Sequence, residues 1–102
     1  MSLELFSPLF QKINEDIANN IFFLLEDECN YREVYISEYG GHGFINNSKC
    51  YNENEPPLFE ISISDNTVVL SVFGDLNDQR IIKEQVSDIF HKNEIFIDFV
   101  EE

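Results

Sequence analysis

The segment "LFEISISDNTVVLSVF", residues 58–73, decides the fold, because its pattern specifies two paired strands. Apolar residues alternate with other residues on both sides of Asp65-Asn66, as they do in strands with one buried face. A two-residue turn at Asp65-Asn66 aligns three apolar pairs: Ile63 with Val68, Ile61 with Leu70 and Phe59 with Val72. A one-residue slip would destroy this match. The sequence therefore predicts an antiparallel hairpin of residues 58–64 and 67–73.

The opposite face of this hairpin is mostly polar. The same register pairs Glu60 with Ser71, Ser62 with Val69 and Ser64 with Thr67. One face of the hairpin is therefore predicted to lie on the core.

Two amphipathic helices are predicted on either side of the hairpin. The first begins at Ser7 and Pro8, which suit an N-cap and a first helical position, and runs for about twenty residues. Its apolar stripe is Phe6, Phe10, Ile13, Ile17, Ile21 and Leu24. The second begins after Asp75 or Asn77 and ends at Asn93. Its buried stripe is Ile82, Val86, Ile89 and Phe90.

Residues 31–39 alternate as a strand does, with Val34 and Ile36 predicted to face the core. The opposite face of this strand then carries Tyr31, Glu33, Tyr35 and Tyr39. Residues 40–43, three of which are glycines, are predicted to form a turn to a short partner strand at Phe44-Ile45, and residues 46–57 an exposed loop. "IFIDFV", residues 95–100, is the last predicted strand.

This order of elements predicts an α+β fold. The most economical arrangement is a mostly antiparallel sheet of four to five strands with two helices packed on one face. A length of 102 residues, without repeats or a long linker, predicts a single domain spanning 1–102.

A strong negative charge limits the classes of partner. Twenty acidic and six basic residues give a net charge of −14 and a pI near 4.2. Such a surface repels nucleic-acid phosphates and anionic lipids and attracts basic proteins. Acidity that serves solubility alone is the alternative explanation, and a basic partner is favoured over it because the charge reaches −14 on 102 residues.

No motif in the chain predicts catalysis, a cofactor or a metal site. The stretch "YGGHGF", residues 39–44, is not followed by the helix or the lysine that a phosphate-binding loop needs, so a turn is favoured. His42 has Glu38 and Ser48 as its nearest candidate partners, neither at a recognised catalytic spacing. Cys29 follows three acidic residues, which disfavour a reactive thiolate.

The chain is expected to be cytoplasmic. No apolar run reaches membrane-spanning length, and the first ten residues lack the features of a signal peptide. Cys29 and Cys50 are accordingly expected to be reduced thiols.

Tyrosines and acidic residues concentrate in one region, which is the candidate partner-binding surface. All four tyrosines lie between positions 31 and 51, and tyrosine is favoured as an interface anchor while carboxylates steer basic partners. The predicted partner-binding residues are Asp27, Glu28, Tyr31, Glu33, Tyr35, Tyr39, Tyr51, Glu53 and Glu55. The alternative places the tyrosine rings in the core with their hydroxyls at its edge.

In its general character the chain resembles bacterial toxin-immunity proteins, of the kind paired with contact-dependent growth inhibition toxins or nuclease colicins. The resemblance rests on small size, acidity, the lack of catalytic motifs and the acidic tyrosine-containing region, and on no specific motif. It implies a non-enzymatic inhibitor that blocks the active site or substrate surface of a basic toxin domain, often a nuclease. Two alternatives are a nucleic-acid mimic that inhibits a restriction or CRISPR nuclease, and a small enzyme or ligand-binding domain. The oligomeric state is left open.

Overall fold

Eight elements make up the fold in a computed structural model, which describes residues 3–101. They are β1 (Leu3–Pro8), α1 (Glu15–Asp27), β2 (Tyr31–Ile36), β3 (His42–Asn46), β4 (Phe59–Ile63), β5 (Thr67–Val72), α2 (Leu76–Lys92) and β6 (Val100–Glu101). The strands form one sheet in the order β2-β3-β4-β5-β1-β6, and every pairing is antiparallel. The α+β prediction is confirmed, with six strands in place of the four or five expected.

The β4–β5 hairpin has the predicted register. Phe59 lies opposite Val72, Ile61 opposite Leu70 and Ile63 opposite Val68. The Ser64 N–H donates to the Thr67 carbonyl oxygen at 2.9 Å and closes the turn. The apolar pairs in the sequence therefore correctly predicted the register of β4 and β5, the two central strands of the sheet.

Both helices pack on the same face of the sheet, as predicted. One core cluster joins residues of the strands to Ile21 and Leu25 of α1 and to the stripe of α2. The buried sheet residues of this cluster include Leu5, Phe44, Phe59, Ile61, Leu70 and Val72. The other face of the sheet has no helix on it among residues 3–101.

The predicted start of the first helix at Ser7 is wrong. Residues 3–8 form β1, which lies in the sheet between β5 and β6. Ser7 is fully buried, and its Oγ accepts the Asp98 N–H at 2.9 Å, whereas Phe10 is 77% exposed. Burial alternates along β1, with Leu5 and Ser7 on the core side, and β1 pairs with β5 over six residues, so a strand forms where a helix was predicted.

Helix α1 begins instead after Asn14. The Asn14 side chain accepts the Ile17 N–H at 2.8 Å, which satisfies one of the free N–H groups of the first turn. Only Ile21 and Leu25 of this helix are fully buried, so the apolar stripe is shorter than predicted.

Replacing Asn14 with alanine is expected to destabilise the protein by about 1 kcal/mol, the usual value of an N-cap. Asn19→Ala is the matched control, because Asn19 is an exposed position inside the same helix and alanine is the better helix former there. Urea denaturation followed by circular dichroism measures both. Equal stability of the Asn14→Ala variant and the wild type would contradict this start of the helix.

Strand β2 contains an irregularity that the sequence did not predict. The register with β3 shifts between Glu33 and Tyr35, as at a β-bulge. The alternation therefore breaks at Val34, and the prediction that Val34 and Ile36 face the core is wrong. Val34 lies at the irregularity and is only half-buried, and Ile36, although opposite His42, is 61% exposed, so neither belongs to the core cluster, whereas Tyr31 is buried. The prediction that Tyr31, Glu33, Tyr35 and Tyr39 share one face fails for the same reason.

Helix α2 follows the prediction closely. Asp75 is the N-cap and forms a capping box with Asp78, the four predicted residues are buried, and Asn93 is the C-cap. The segment after it is buried at Ile95, Ile97 and Phe99 as expected, but only Val100–Glu101 pairs as a strand. Neither helix in the described part of the chain has the length and apolar character needed to cross a bilayer.

Candidate functional site

The sheet face opposite the helices, here called the open sheet face, carries a continuous row of residues across five strands. The register brings Tyr35 of β2 opposite Gly43, Gly43 opposite Glu60, Glu60 opposite Ser71 and Ser71 opposite Glu4 of β1. The next rows on either side contain core residues such as Ile61 and Phe59. Side chains of the row therefore project away from the core.

Gly43 allows Tyr35 to reach across β3. A Cβ added to Gly43 would lie 2.5 Å from the Tyr35 ring, so the ring occupies the space that a side chain would take. The Tyr35 hydroxyl donates a hydrogen bond to the Glu60 carboxylate. Burial first, and then this hydrogen bond, raise the pKa of Tyr35. Tyr35 and Glu60 thus form a fixed pair at the centre of the open sheet face.

Two further tyrosines lie around this pair. The Tyr51 ring, carried by the 46–57 loop, lies 6.5 Å from the Tyr35 ring between centroids. Tyr39 is 77% exposed and lines a groove with Glu60. Glu53 and Glu55 are exposed in the loop that carries Tyr51. The structure therefore brings together three of the four predicted tyrosines.

The other predicted residues lie on the helix side of the sheet. The Tyr31 ring packs edge-on against Phe59 with 4.9 Å between centroids, and its hydroxyl donates to Gln85 of α2. Burial raises the pKa of Tyr31 to about 12. Tyr31 thus follows the alternative interpretation, with its ring in the core and its hydroxyl at the edge.

Asp27, Glu28 and Glu33 also lie away from the open sheet face. Asp27 ends α1, and Glu28, its C-cap, pairs with Lys92 of α2. Glu33 contacts His42 on the helix side of β2. The predicted set is therefore divided between two sides of the molecule.

His42 has a carboxylate partner that the sequence did not identify. Its Nδ1 contacts Glu33, and its ring stacks on Phe22 of α1 at 3.8 Å between centroids. Neither Glu38 nor Ser48, the sequence candidates, is this partner. Within residues 3–101 no serine, threonine or cysteine side chain hydrogen-bonds to His42. These contacts connect α1 to the β2–β3 hairpin.

No group of three or more His, Cys, Asp or Glu residues in the described range is arranged to hold a metal ion. Cys29 and Cys50 are free thiols. Burial, followed by the nearby charge of Glu28, raises the pKa of Cys29, which disfavours a nucleophilic thiolate.

The negative charge of the protein is largely unpaired. Within residues 3–101 the only acidic residues in ion pairs are Glu28, with Lys92, and Glu33, with His42. Glu4 and Glu60 on the open sheet face have no basic partner among these residues. Their charges therefore contribute to the field that an approaching cation meets.

Glu60 and Glu4 were not among the predicted partner-binding residues, although both lie on this surface. The hairpin register had placed Glu60 on the polar face, which was the available signal. The connection to Tyr35 depends on strand order and on Gly43, and neither follows from the hairpin alone.

Comparisons with protein-family models, curated proteins and solved structures find no match to this chain. The open sheet face and the charge of the molecule are the two features of this chain that bear on its function. Both are properties of this chain's own residues.

Stability at high pH tests the burial of Tyr31. Its pKa rises from 10.0 to about 12 on folding, so between these pH values the unfolded chain loses the Tyr31 proton while the folded chain retains it. The contribution of Tyr31 to stability is complete below pH 10 and is lost as the pH rises through about 12. We expect a shallower decline of stability above pH 10 in Tyr31→Phe.

Urea denaturation of both proteins at pH 8, 10 and 11 measures this difference. The values at pH 8 report the loss of the Gln85 hydrogen bond alone and serve as the baseline. If the two proteins lose stability in parallel above pH 10, Tyr31 is not held in its neutral form by the fold.

Proposed function

We propose that the protein is a bacterial immunity protein that binds and neutralises a basic toxin domain, most simply a nuclease. The observation that supports this proposal is the open sheet face, where Tyr35 donates to Glu60, Tyr39 lines the groove of Glu60, and Tyr51 lies beside Tyr35. No basic side chain of residues 3–101 forms an ion pair with Glu60 or Glu4. Aromatic anchors with unpaired carboxylates suit a basic protein surface.

The proposal narrows the predicted surface to one face. Tyr35, Tyr39, Tyr51 and Glu60 form its centre, and Glu53 and Glu55 lie in the adjoining loop. Tyr31 and Glu33 lie on the helix side and support the fold in this account. Tyr35, Tyr51 and Glu60 are half-buried, Tyr39 is exposed beside them, and the loop carboxylates supply a charged rim, as in the usual anatomy of a protein interface.

The size of the surface is compatible with one partner. The accessible surface is 6439 Å², and a standard interface takes about 800 Å² from each side. One partner would then cover about an eighth of the molecule. Most of the twenty acidic residues would lie outside the contact and act through the long-range field, which speeds association with a basic protein.

Neutralisation in this account occurs by occlusion. A basic nuclease domain uses its positive surface to hold nucleic acid, and an acidic protein bound to that surface excludes the substrate. No chemical step by the immunity protein is required. The proposed location is the cytoplasm, where the toxin would meet its substrate.

Co-expression with candidate toxin domains tests the function. Cells that produce the cognate toxin are expected to survive only when this protein is also produced. Protection should be lost in the double variant Tyr35→Ala/Glu60→Gln and retained in Glu84→Gln, which removes an exposed charge on α2. A panel of basic nuclease toxins with no survivor would count against the proposal.

A further inference from the structure

We infer that the groove beside Glu60 binds an arginine side chain of the partner. This inference rests on the proposed function, since it names the group that the open sheet face receives. It adds Glu60 and Glu4 as determinants of specificity, together with the exposed ring of Tyr39.

The chemistry of the groove suits a planar cation. The groove has a volume of about 340 Å³. Its lining includes two carboxylates, two aromatic rings and two serine hydroxyl groups, from Glu4, Glu60, Tyr39, Phe73, Ser62 and Ser71. No Lys, Arg or His side chain lines it. Every charged group in the groove is therefore negative, and its occupant should be positive.

Glu60 is held in place before any partner arrives. Its Oε2 accepts the hydrogen bond from Tyr35, and its Oε1 lies so close to Gly41 that a Cβ there would clash with it. A carboxylate offers about four acceptor positions, so the bond to Tyr35 leaves capacity for a second donor. A carboxylate already fixed in position loses little further freedom on binding, which favours affinity.

Arginine fits this arrangement better than lysine. A guanidinium group can donate two parallel hydrogen bonds to one carboxylate and can stack on an aromatic ring at the same time. The Tyr39 ring is 77% exposed and lines the same groove as Glu60. Lysine has the charge but lacks the planar fork, so it should bind more weakly.

The test is an NMR titration of the ¹⁵N-labelled protein with N-acetyl-arginine amide. Its neutral isostere, N-acetyl-citrulline amide, is the matched control, and N-acetyl-lysine amide tests the choice of cation. We expect saturable shifts of the backbone amides of Glu60, Ser62 and Ser71 with the arginine compound. Binding should be at least tenfold weaker for citrulline and at least threefold weaker for lysine.

Two variants locate the binding. Glu60→Gln keeps the size of the side chain and should weaken arginine binding at least tenfold, while Glu84→Gln on α2 should leave it unchanged. Tyr39→Ala, at an exposed position, should weaken arginine binding severalfold. This variant is the substitute test if Glu60→Gln proves unstable. Equal binding of arginine and citrulline, or shifts spread evenly over the acidic surface, would overturn the inference.

The arginine inference and the proposed immunity function can fail separately. If arginine binds in the groove but no toxin is neutralised, the immunity function fails and the arginine site stands. If a toxin is neutralised equally well by the wild type and by folded Glu60→Gln, the function stands and the arginine inference fails.

Discussion

Replacing Leu70 with alanine is expected to lower the free energy of unfolding by about 2–5 kcal/mol. Leu70 is fully buried in β5, opposite Ile61 of β4, and belongs to the cluster that both helices cover. Truncation of Leu70 removes apolar contacts and leaves a cavity between the sheet and the helices. Chemical denaturation followed by circular dichroism gives the value.

Val69→Ala is the matched control for this prediction. Val69 precedes Leu70 in the same strand but is half-buried and lines the groove of the open sheet face. Its truncation should cost clearly less. If the Val69 and Leu70 variants lose the same stability, the assignment of the two faces of β5 is wrong.

In the proposed complex with a basic toxin domain, Tyr35→Ala is expected to raise the dissociation rate about thirtyfold, which corresponds to a hot-spot value of about 2 kcal/mol. The Tyr35 ring lies over Gly43, and its hydroxyl donates a hydrogen bond to Glu60. The Tyr35 side chain is therefore already ordered before the proposed partner binds. Glu53→Lys, in the exposed loop, should instead slow association, because it weakens the attractive field.

Surface plasmon resonance at several salt concentrations separates these effects. Association of the wild type should slow as salt rises, since the Debye length falls to about 8 Å at 0.15 M. Tyr31→Phe is the control, because this side chain is buried on the helix side and its removal should leave both rates unchanged. An unchanged dissociation rate for Tyr35→Ala would remove Tyr35 from the interface.

The sequence was sufficient where two independent patterns agreed. The hairpin had an apolar match across two strands, and α2 had a periodic stripe together with a cap at each end. Residues 3–13 carried a candidate cap at one end only, Ser7-Pro8, and this pair instead ends β1. Their apolar spacing suits a helix as well as a strand, and the choice depended on the free edge of β5, to which β1 pairs over six residues.

The candidate site was predictable in composition and unpredictable in arrangement. The concentration of tyrosines near position 40 was visible, but a single shift of register between Glu33 and Tyr35 places Tyr31 and Tyr35 on opposite sides of the sheet. Glu60 joins Tyr35 only because β3, with a glycine at position 43, lies between β2 and β4. Such long-range neighbours follow from strand order, which alternation along one strand does not specify.

A titration of the cognate toxin is the most direct test of the central claim, that the open sheet face neutralises a basic toxin domain. The toxin's nuclease activity is measured while the purified protein is added in increasing amounts. Toxin activity is expected to fall linearly to background at about one molecule of this protein per toxin molecule, and the variant Tyr35→Ala/Glu60→Gln should be needed in large excess. Full toxin activity in the presence of excess wild-type protein would contradict the account.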